Sequence, residues 1–410
     1  MKIAILGYGG RGKNYAQILQ RKYKKQAQIV AVIETNEQKL NIAKKSHNLP
    51  DETCFSSYDD FLKKDVLADW LFVCTQDSDH FAQTVAGIKK GYNILLEKPI
   101  SKDIGECETI AAYAKKFNRK VAVCHVLRYT AFYSKVKDIV DSKILGKLIS
   151  VEMVENVGYW HQAHSFVRGD WGKSLESSPM IFAKCCHDLD LMAYFVQSPC
   201  SNVVSIGKLN HFKHSEAPDS HAQFCSECKL TDCPYDAKKI YIDTLKKIPA
   251  AKRKYAWPQS RVVPDGEPTM EKVENALKKG QFGKCVYECD NDVVDYQSSL
   301  FEFENGVQGS LIMTAFSDEI YRTITLRGTL GTLEGKFEDN ILYLKLFGKK
   351  TKKISVRNAM KGGHGGGDIG LMDGIVNNNL LTDIDLSIQS HKMAYACEAS
   401  RLDNCAPHKV

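Results

Sequence analysis

Short apolar runs alternate with amphipathic stretches through the first 125 positions. Lys2–Leu6, Ile29–Ile33, Trp70–Cys74, Asn93–Leu96 and Val121–Cys124 have strand length, and the segments Asn14–Arg21, Glu37–His47, Tyr58–Lys64, His80–Lys90 and Asp103–Phe117 read as helices. Strands without a polar face, separated by helices, predict a doubly wound parallel sheet, because helices then cover both faces. From Leu148 the period changes to two. Leu148–Glu155, Val203–Lys208, Tyr296–Phe303, Val307–Thr314, Tyr321–Arg327, Gly331–Phe337 and Ile341–Leu346 alternate, and Glu304-Asn305-Gly306 is a hairpin signal. A final helix is expected at Ile369–Asn377, and Cys285–Cys289 reads as one more strand. Residues 207–282 break the alternation with a polar, proline-bearing insert. The expected fold class is therefore α/β, a doubly wound parallel sheet over residues 1–125, plus a C-terminal α+β domain over 126–410 with a large, mainly antiparallel open sheet. A last helix should return near the first domain.

Composition narrows the function classes. The chain has 410 residues, more than one core of about 250–300 residues accommodates. Its net charge of +7 is spread out, and runs such as Arg21–Lys25 and Lys349–Lys353 read as solvated faces, so nucleic acid is not an expected partner. No apolar run approaches the roughly 20 residues of a membrane span, and Met1-Lys2 leads straight into a strand, without a leader's charged and apolar regions. A cytoplasmic protein without a membrane partner is expected. Of fourteen cysteines, most, such as Cys74 and Cys124, stand singly in apolar runs and read as buried thiols.

The chemistry begins at Gly7-Tyr8-Gly9-Gly10-Arg11-Gly12, directly after the first strand. Glycines there permit a tight turn and the approach of a pyrophosphate to a helix N-terminus. The second strand ends at Glu34, where a carboxylate can hold a ribose 2′-hydroxyl and would repel a 2′-phosphate, so NAD is favoured over NADP. Later strands end in Thr75-Gln76-Asp77 with His80 beyond, in Glu97-Lys98-Pro99, and in His125 with Arg128. Strand C-termini of an open parallel sheet face the ligand crevice, so Asp77, His80, Lys98, His125 and Arg128 should share it.

A Gly-rich first turn, an acid after the second strand and Glu97-Lys98-Pro99 at a later strand end resemble the glucose-fructose oxidoreductase and inositol dehydrogenase family, Gfo/Idh/MocA. The resemblance implies an α/β Rossmann domain over residues 1–125 with NAD as cofactor, Lys98 beside the nicotinamide and the reacting hydroxyl, and a C-terminal sheet that covers the site and pairs subunits into a homodimer or homotetramer. His125-Val126-Leu127-Arg128-Tyr129 is similar to the family's interdomain passage, with Arg128 near the ligand. Ser165–Trp171 and Ser177–Asp190 resemble a sugar-acting branch. One departure stands at Ala183, where family members carry an aspartate four positions before the histidine; Lys184 is the expected substitute.

His187 opens an apolar helix, where the dipole keeps an imidazole neutral and able to accept a proton. His187 and Lys98 are the main catalytic candidates, with Lys184 third, while Asp188 and Asp190 read as helix caps. Trp160, His161, His164, Arg168 and Trp171 offer aromatic and polar groups suited to a pyranose, and the run Gly362–Asp368 offers close backbone approach with His364 and Asp368 as hydrogen-bonding groups. Cys225, Cys228 and Cys233 have the spacing of three zinc thiolates, with Cys285 as the fourth and Cys289 or His221 as alternatives; a structural zinc is expected to staple an insert lacking its own core. An iron–sulfur cluster or free thiols are the other readings. The expected activity is hydride transfer between NAD and a ring hydroxyl of a small sugar, glycoside or polyol. The alternatives are redox-neutral glycoside cleavage through a 3-keto intermediate and a non-catalytic NAD-binding sensor.

Overall fold

The computed structural model describes residues 1–264, 266–356 and 363–410. β1 (Lys2–Leu6), β2 (Gln28–Ile33), β3 (Cys54–Phe55), β4 (Trp70–Val73), β5 (Asn93–Leu96) and β6 (Val121–Val123) form one sheet in the order β3-β2-β1-β4-β5-β6. Every pair in it is parallel. That order is the dinucleotide-fold order, with a switch point between β1 and β4. Helices Gly10–Lys22, Glu37–His47, Tyr58–Lys63, His80–Lys90 and Ile104–Lys116 connect the strands. Three of them start where the sequence places an oxygen-bearing cap: Asn36, Ser57 and Asp103 each accept a backbone N–H of the first turn. The first helix begins at Gly10, four residues before the predicted start, because the glycines form its opening turn.

The second sheet contains β7 (Leu148–Asn156), β8 (Cys200–Lys208), β9 (Tyr296–Phe303), β10 (Gln308–Thr314), β11 (Tyr321–Gly328), β12 (Gly331–Lys336), β13 (Ile341–Leu346), β14 (Lys352–Ser355) and β15 (His408–Lys409), ordered β14-β13-β12-β11-β7-β10-β9-β8-β15. All pairs are antiparallel except β7 with β10. Alternation decides which face is inward. In β9 the buried positions are Gln297, Ser299, Phe301 and Phe303, while Leu300 is 62% exposed. The inner face packs on helices Ala131–Asp141, Cys186–Val196 and Ile384–Leu402 in one apolar core.

Three expectations change. Helix Gly367–Val376 is followed by a 19-residue helix, Ile384–Leu402, that the sequence pattern does not announce. It is wedged against β6, β8 and helices Ile104–Lys116 and Cys186–Val196, so small and apolar residues surround it instead of forming one stripe. Thr382, just before it, accepts Val123 N–H at 2.8 Å, tying this C-terminal segment to the edge of the first sheet. Cys285–Cys289 is a turn, with Glu288 N–H bonded to the Cys285 carbonyl at 3.0 Å. Finally, the insert has a core of its own, in which Phe212, Tyr235, Tyr241, Leu245, Val273 and Tyr287 pack together.

Candidate active site

The glycine turn connects β1 to its helix through a left-handed Gly7 (φ +88°), whose N–H donates to Ile33. A Cβ on Gly7 would lie 2.7 Å from the Cys74 carbonyl oxygen, and one on Gly12 would lie 2.1 Å from that of Gly7, so neither position admits a side chain. Gly9 and Gly10 face open space. Glu34 stands over this turn, accepting Tyr8 N–H at 2.8 Å and Asn36 N–H at 2.9 Å. Arg11 turns inward. Its Nε donates to Glu97 Oε1 at 2.7 Å, and its Nη2 donates to Asp368 Oδ1 at 2.8 Å. Asn14 and His364 add hydrogen bonds to Asp368 at 2.9 and 3.2 Å. Burial alone would raise both carboxyls, but at Glu97 the Arg11 guanidinium and the Tyr15 hydroxyl outweigh it, and at Asp368 the His364 hydrogen bond and Arg11 do. Both are therefore held below the ordinary carboxylate range. Of the run Gly362–Asp368, Gly362 lies outside the described residues.

Lys98, at the tip of β5, sends its Nζ to the Ala183 carbonyl oxygen at 2.9 Å. The position where an aspartate is expected thus contributes its backbone carbonyl instead of a carboxylate. Four residues on, His187 sits in the first turn of its helix, 6% exposed. Its ring centroid is 5.8 Å from that of His364 and 6.0 Å from that of His125, which is in turn 5.7 Å from His391. Burial, then the Lys98 ammonium, then His364 and His125 lower the His187 pKa well below 6.5, so the ring is neutral. Its buried Nδ1 has no hydrogen-bond partner among the described residues.

Beneath His187 lies a buried ion cluster that sequence reasoning missed. Arg322 Nε donates to Asp188 Oδ1 at 2.9 Å, and its Nη2 pairs with Glu155 Oε2 at 2.6 Å. Lys184 Nζ pairs with the other Glu155 oxygen at 3.2 Å. Lys184, expected as a third catalytic group, is therefore committed to Glu155. Asp188 and Asp190, expected as helix caps, are ion-pair partners: Asp190 holds Arg128 in a fork at 2.6 and 2.7 Å. The signal for Glu155 and Arg322 was present in the alternation, since both are charged residues in the inward phase of strands β7 and β11.

The other expected site residues separate into two groups. Lys98, His187, His364, Asp368, Arg11 and Glu97 converge. Thr75 bonds Gln83 at 2.6 Å, Asp77 accepts the Ser178 hydroxyl at 3.1 Å, and Gln76 is exposed. His80 is buried with Nδ1 at 2.7 Å from the Pro99 carbonyl, where it fixes the chain after Lys98. Arg128 is paired with Asp190. His164 is 3% exposed and bonded to the Tyr241 hydroxyl, while Trp171 packs half-buried beside Phe166. Arg168 is spent on the Lys284 and Tyr235 carbonyls and on Cys225 Sγ at 3.5 Å. These last four hold the fold together.

The thiol zinc site finds no support in the geometry. Cys225, Cys228, Cys233, Cys285 and Cys289 form no disulfide. Among the described residues, the group of three metal-type ligands whose donor atoms all lie within 4.8 Å is His214, His221 and Glu288, which includes no cysteine. Burial pushes the Cys233 and Cys285 thiols up, and Cys289 to about 11. The cation standing among these thiols is the Arg168 guanidinium, which would repel a dication. No helix among the described residues is long and apolar enough to cross a membrane.

Residues 1–125 match a family model described as an oxidoreductase family with an NAD-binding Rossmann fold, Gfo/Idh/MocA. A Bacillus subtilis protein named YteT and described as an oxidoreductase is 24% identical over 323 residues, covering 73% of this chain and 70% of that one. Among solved structures, an inositol dehydrogenase homolog from Azotobacter vinelandii with NAD+ superposes with a TM-score of 0.71 at 14% identity, covering 100% and 97% of the two chains. An inositol dehydrogenase homolog from the same organism with NADH and myo-inositol gives 0.66 at 14% identity, covering 100% and 97%. These likenesses show the two-sheet fold.

Proposed function

We propose, for a chain whose first 125 residues and structural neighbours support an oxidoreductase of the Gfo/Idh/MocA family, an NAD-dependent hydride transfer at a ring hydroxyl of a sugar, glycoside or polyol. Residues 1–125 form the cofactor domain in this reading, and residues 126–410 bring the substrate face. The turn Gly7–Gly12 holds the pyrophosphate, with Gly9 and Gly10 offering the open approach, and Glu34 takes the ribose hydroxyls, so NAD is used in preference to NADP. NAD, when bound, supplies the hydride acceptor. Asp77, Gln76 and Thr75 border the same strand ends.

The observation that carries the reading is the Lys98–Ala183 contact, which docks the tip of β5 against the segment leading into His187. A lysine ammonium has three donors; one is spent on that carbonyl, leaving two for an alkoxide. His187, held neutral, accepts the hydroxyl proton. Asp368 orients His364 toward the same space.

The test is NADH absorbance across a panel of sugars, glycosides and polyols, first with the native protein and then with Lys98→Ala. Turnover is expected to fall at least about a hundredfold, the scale of one lost oxyanion donor, with NAD binding kept within a few-fold. Undiminished turnover in the variant overturns the assignment of Lys98.

A second reading is favoured by His364, whose ring stands 5.8 Å from His187 and adds another acid–base group. Oxidation at C3 would acidify the C2 hydrogen; a base removes that proton, the C1–O glycosidic bond breaks with the leaving oxygen taking up a proton, water adds across C1 and C2, and the hydride taken from C3 is given back to it. Sugar release without net NADH distinguishes this path from the dehydrogenase. The exposed outer face of the second sheet, with Leu300 and Ile206 at 62% and 54% exposure, is the proposed surface for pairing with further copies of the chain.

A further inference from the structure

We propose that His214, His221 and Glu288 form a zinc site, with no cysteine among its ligands, that clamps the two ends of the insert together. His214 Nδ1 lies 2.8 Å and His221 Nε2 lies 2.6 Å from one oxygen, Glu288 Oε1. His214 and His221 are 74 and 67 residues before Glu288 in sequence, so nothing in the local chain dictates their meeting.

The argument turns on where the His221 proton must be. Its Nδ1 is 3.0 Å from the Pro218 carbonyl, which can only accept, so Nδ1 carries the hydrogen. In the neutral ring Nε2 is then a lone pair, aimed at a carboxylate oxygen 2.6 Å away. Two lone pairs at that distance repel, and the arrangement calls for a cation between them. Either a second proton or a metal ion satisfies it.

A metal fits the chemistry of the donor set. A ligating histidine commonly donates its other ring N–H to a backbone carbonyl, as His221 does, and this fixes both tautomer and orientation. Two imidazoles and a carboxylate are a zinc-type set, and a tetrahedral ion with bonds of about 2.1 Å separates its ligand atoms by about 3.4 Å. The present spacings of 2.6 and 2.8 Å therefore need to open by less than an ångström. His214 is exposed, so water reaches the fourth position. Glu288 belongs to the Cys285–Cys289 turn, which is joined to the insert by Cys285 N–H to the Gln223 carbonyl and Cys225 N–H to that of Gly283. A metal here would lock that junction, adding to its backbone hydrogen bonds and to the packing of Tyr287 in the insert's core.

Tag-free full-length protein, stripped with a chelator and dialysed, is titrated with zinc chloride by calorimetry, and crystals soaked in zinc are measured at the zinc absorption edge. One ion per chain is expected, with an anomalous peak among the three side chains and a higher melting temperature with zinc. His221→Ala and Glu288→Gln should each weaken binding at least tenfold, whereas Cys225→Ser/Cys228→Ser/Cys233→Ser should bind as the native chain does. His214→Ala, at an exposed position, repeats the test with little risk to folding. Absence of binding, or binding lost only in the cysteine variant, overturns the proposal.

Discussion

Replacing Arg322 with methionine isolates what the buried ion cluster contributes. Arg322 and Lys184 neutralise Glu155 and Asp188, both carboxylates having fully buried side chains. Removing the guanidinium leaves one excess negative charge in a dry site. The protein then loses an ion-pair attraction of about 4 kcal/mol at an effective dielectric near 20, or one carboxyl takes up a proton. A free carboxyl titrates near pH ~4, so protonating it at pH 7 costs about 4 kcal/mol, from about 1.4 kcal/mol per unit. Both routes give the 3–5 kcal/mol loss, roughly, typical of a broken buried pair. Only the second route depends on pH: burial raises the Asp188 carboxyl to about 7 even beside Arg322, so the penalty relative to the native chain shrinks as the pH falls from 7 to 5. Three of the four tryptophans lie beyond residue 125, so urea unfolding followed by their fluorescence reports mainly on the domain containing the cluster. Adding Glu155→Gln to Arg322→Met removes the excess charge and should recover about half of the loss. A native-like midpoint at pH 7, or a deficit that is the same at pH 5 and not repaired by Glu155→Gln, would refute the reasoning.

Acid should destabilise the native chain through its buried histidines. Burial lowers His164 and His391 to about 3, so the unfolded chain binds protons below pH ~6.5 that the folded chain refuses. Their stabilisation is fully present above that pH and is lost as pH falls, each accounting for about 2 kcal/mol by pH 5; equal urea midpoints at pH 5 and 7 would contradict this. Asp368→Asn should loosen the hold of Arg11 on the glycine turn, which joins the two at 2.8 Å. The expected effect is an NAD dissociation constant raised about tenfold, equivalent to about 1.4 kcal/mol, measured by calorimetry, and an unchanged constant would show that the turn keeps its shape without that tether.

Local pattern by itself determined much of the scaffold. The apolar runs and their capped helices specify the parallel sheet, because a strand covered on both faces has no polar phase, and two-residue alternation specifies the second sheet. Gly7 and Gly12 are legible because only a missing side chain fits beside the Cys74 and Gly7 carbonyls. The positions of Lys98 at a strand tip and His187 at a helix start were likewise readable. Tertiary structure alone decided what those side chains touch. It placed the Ala183 carbonyl on Lys98 and spent Lys184, Arg128 and Arg168 on buried partners far away in sequence. It also hid the Ile384–Leu402 helix from periodicity by surrounding it with neighbours. Ion pairs of this kind depend on ångström-scale distances across elements, and periodicity records only which face a residue occupies. The same limit explains the insert, where nine residues of cysteine spacing suggested a metal and the folded chain brought two histidines and a glutamate together instead.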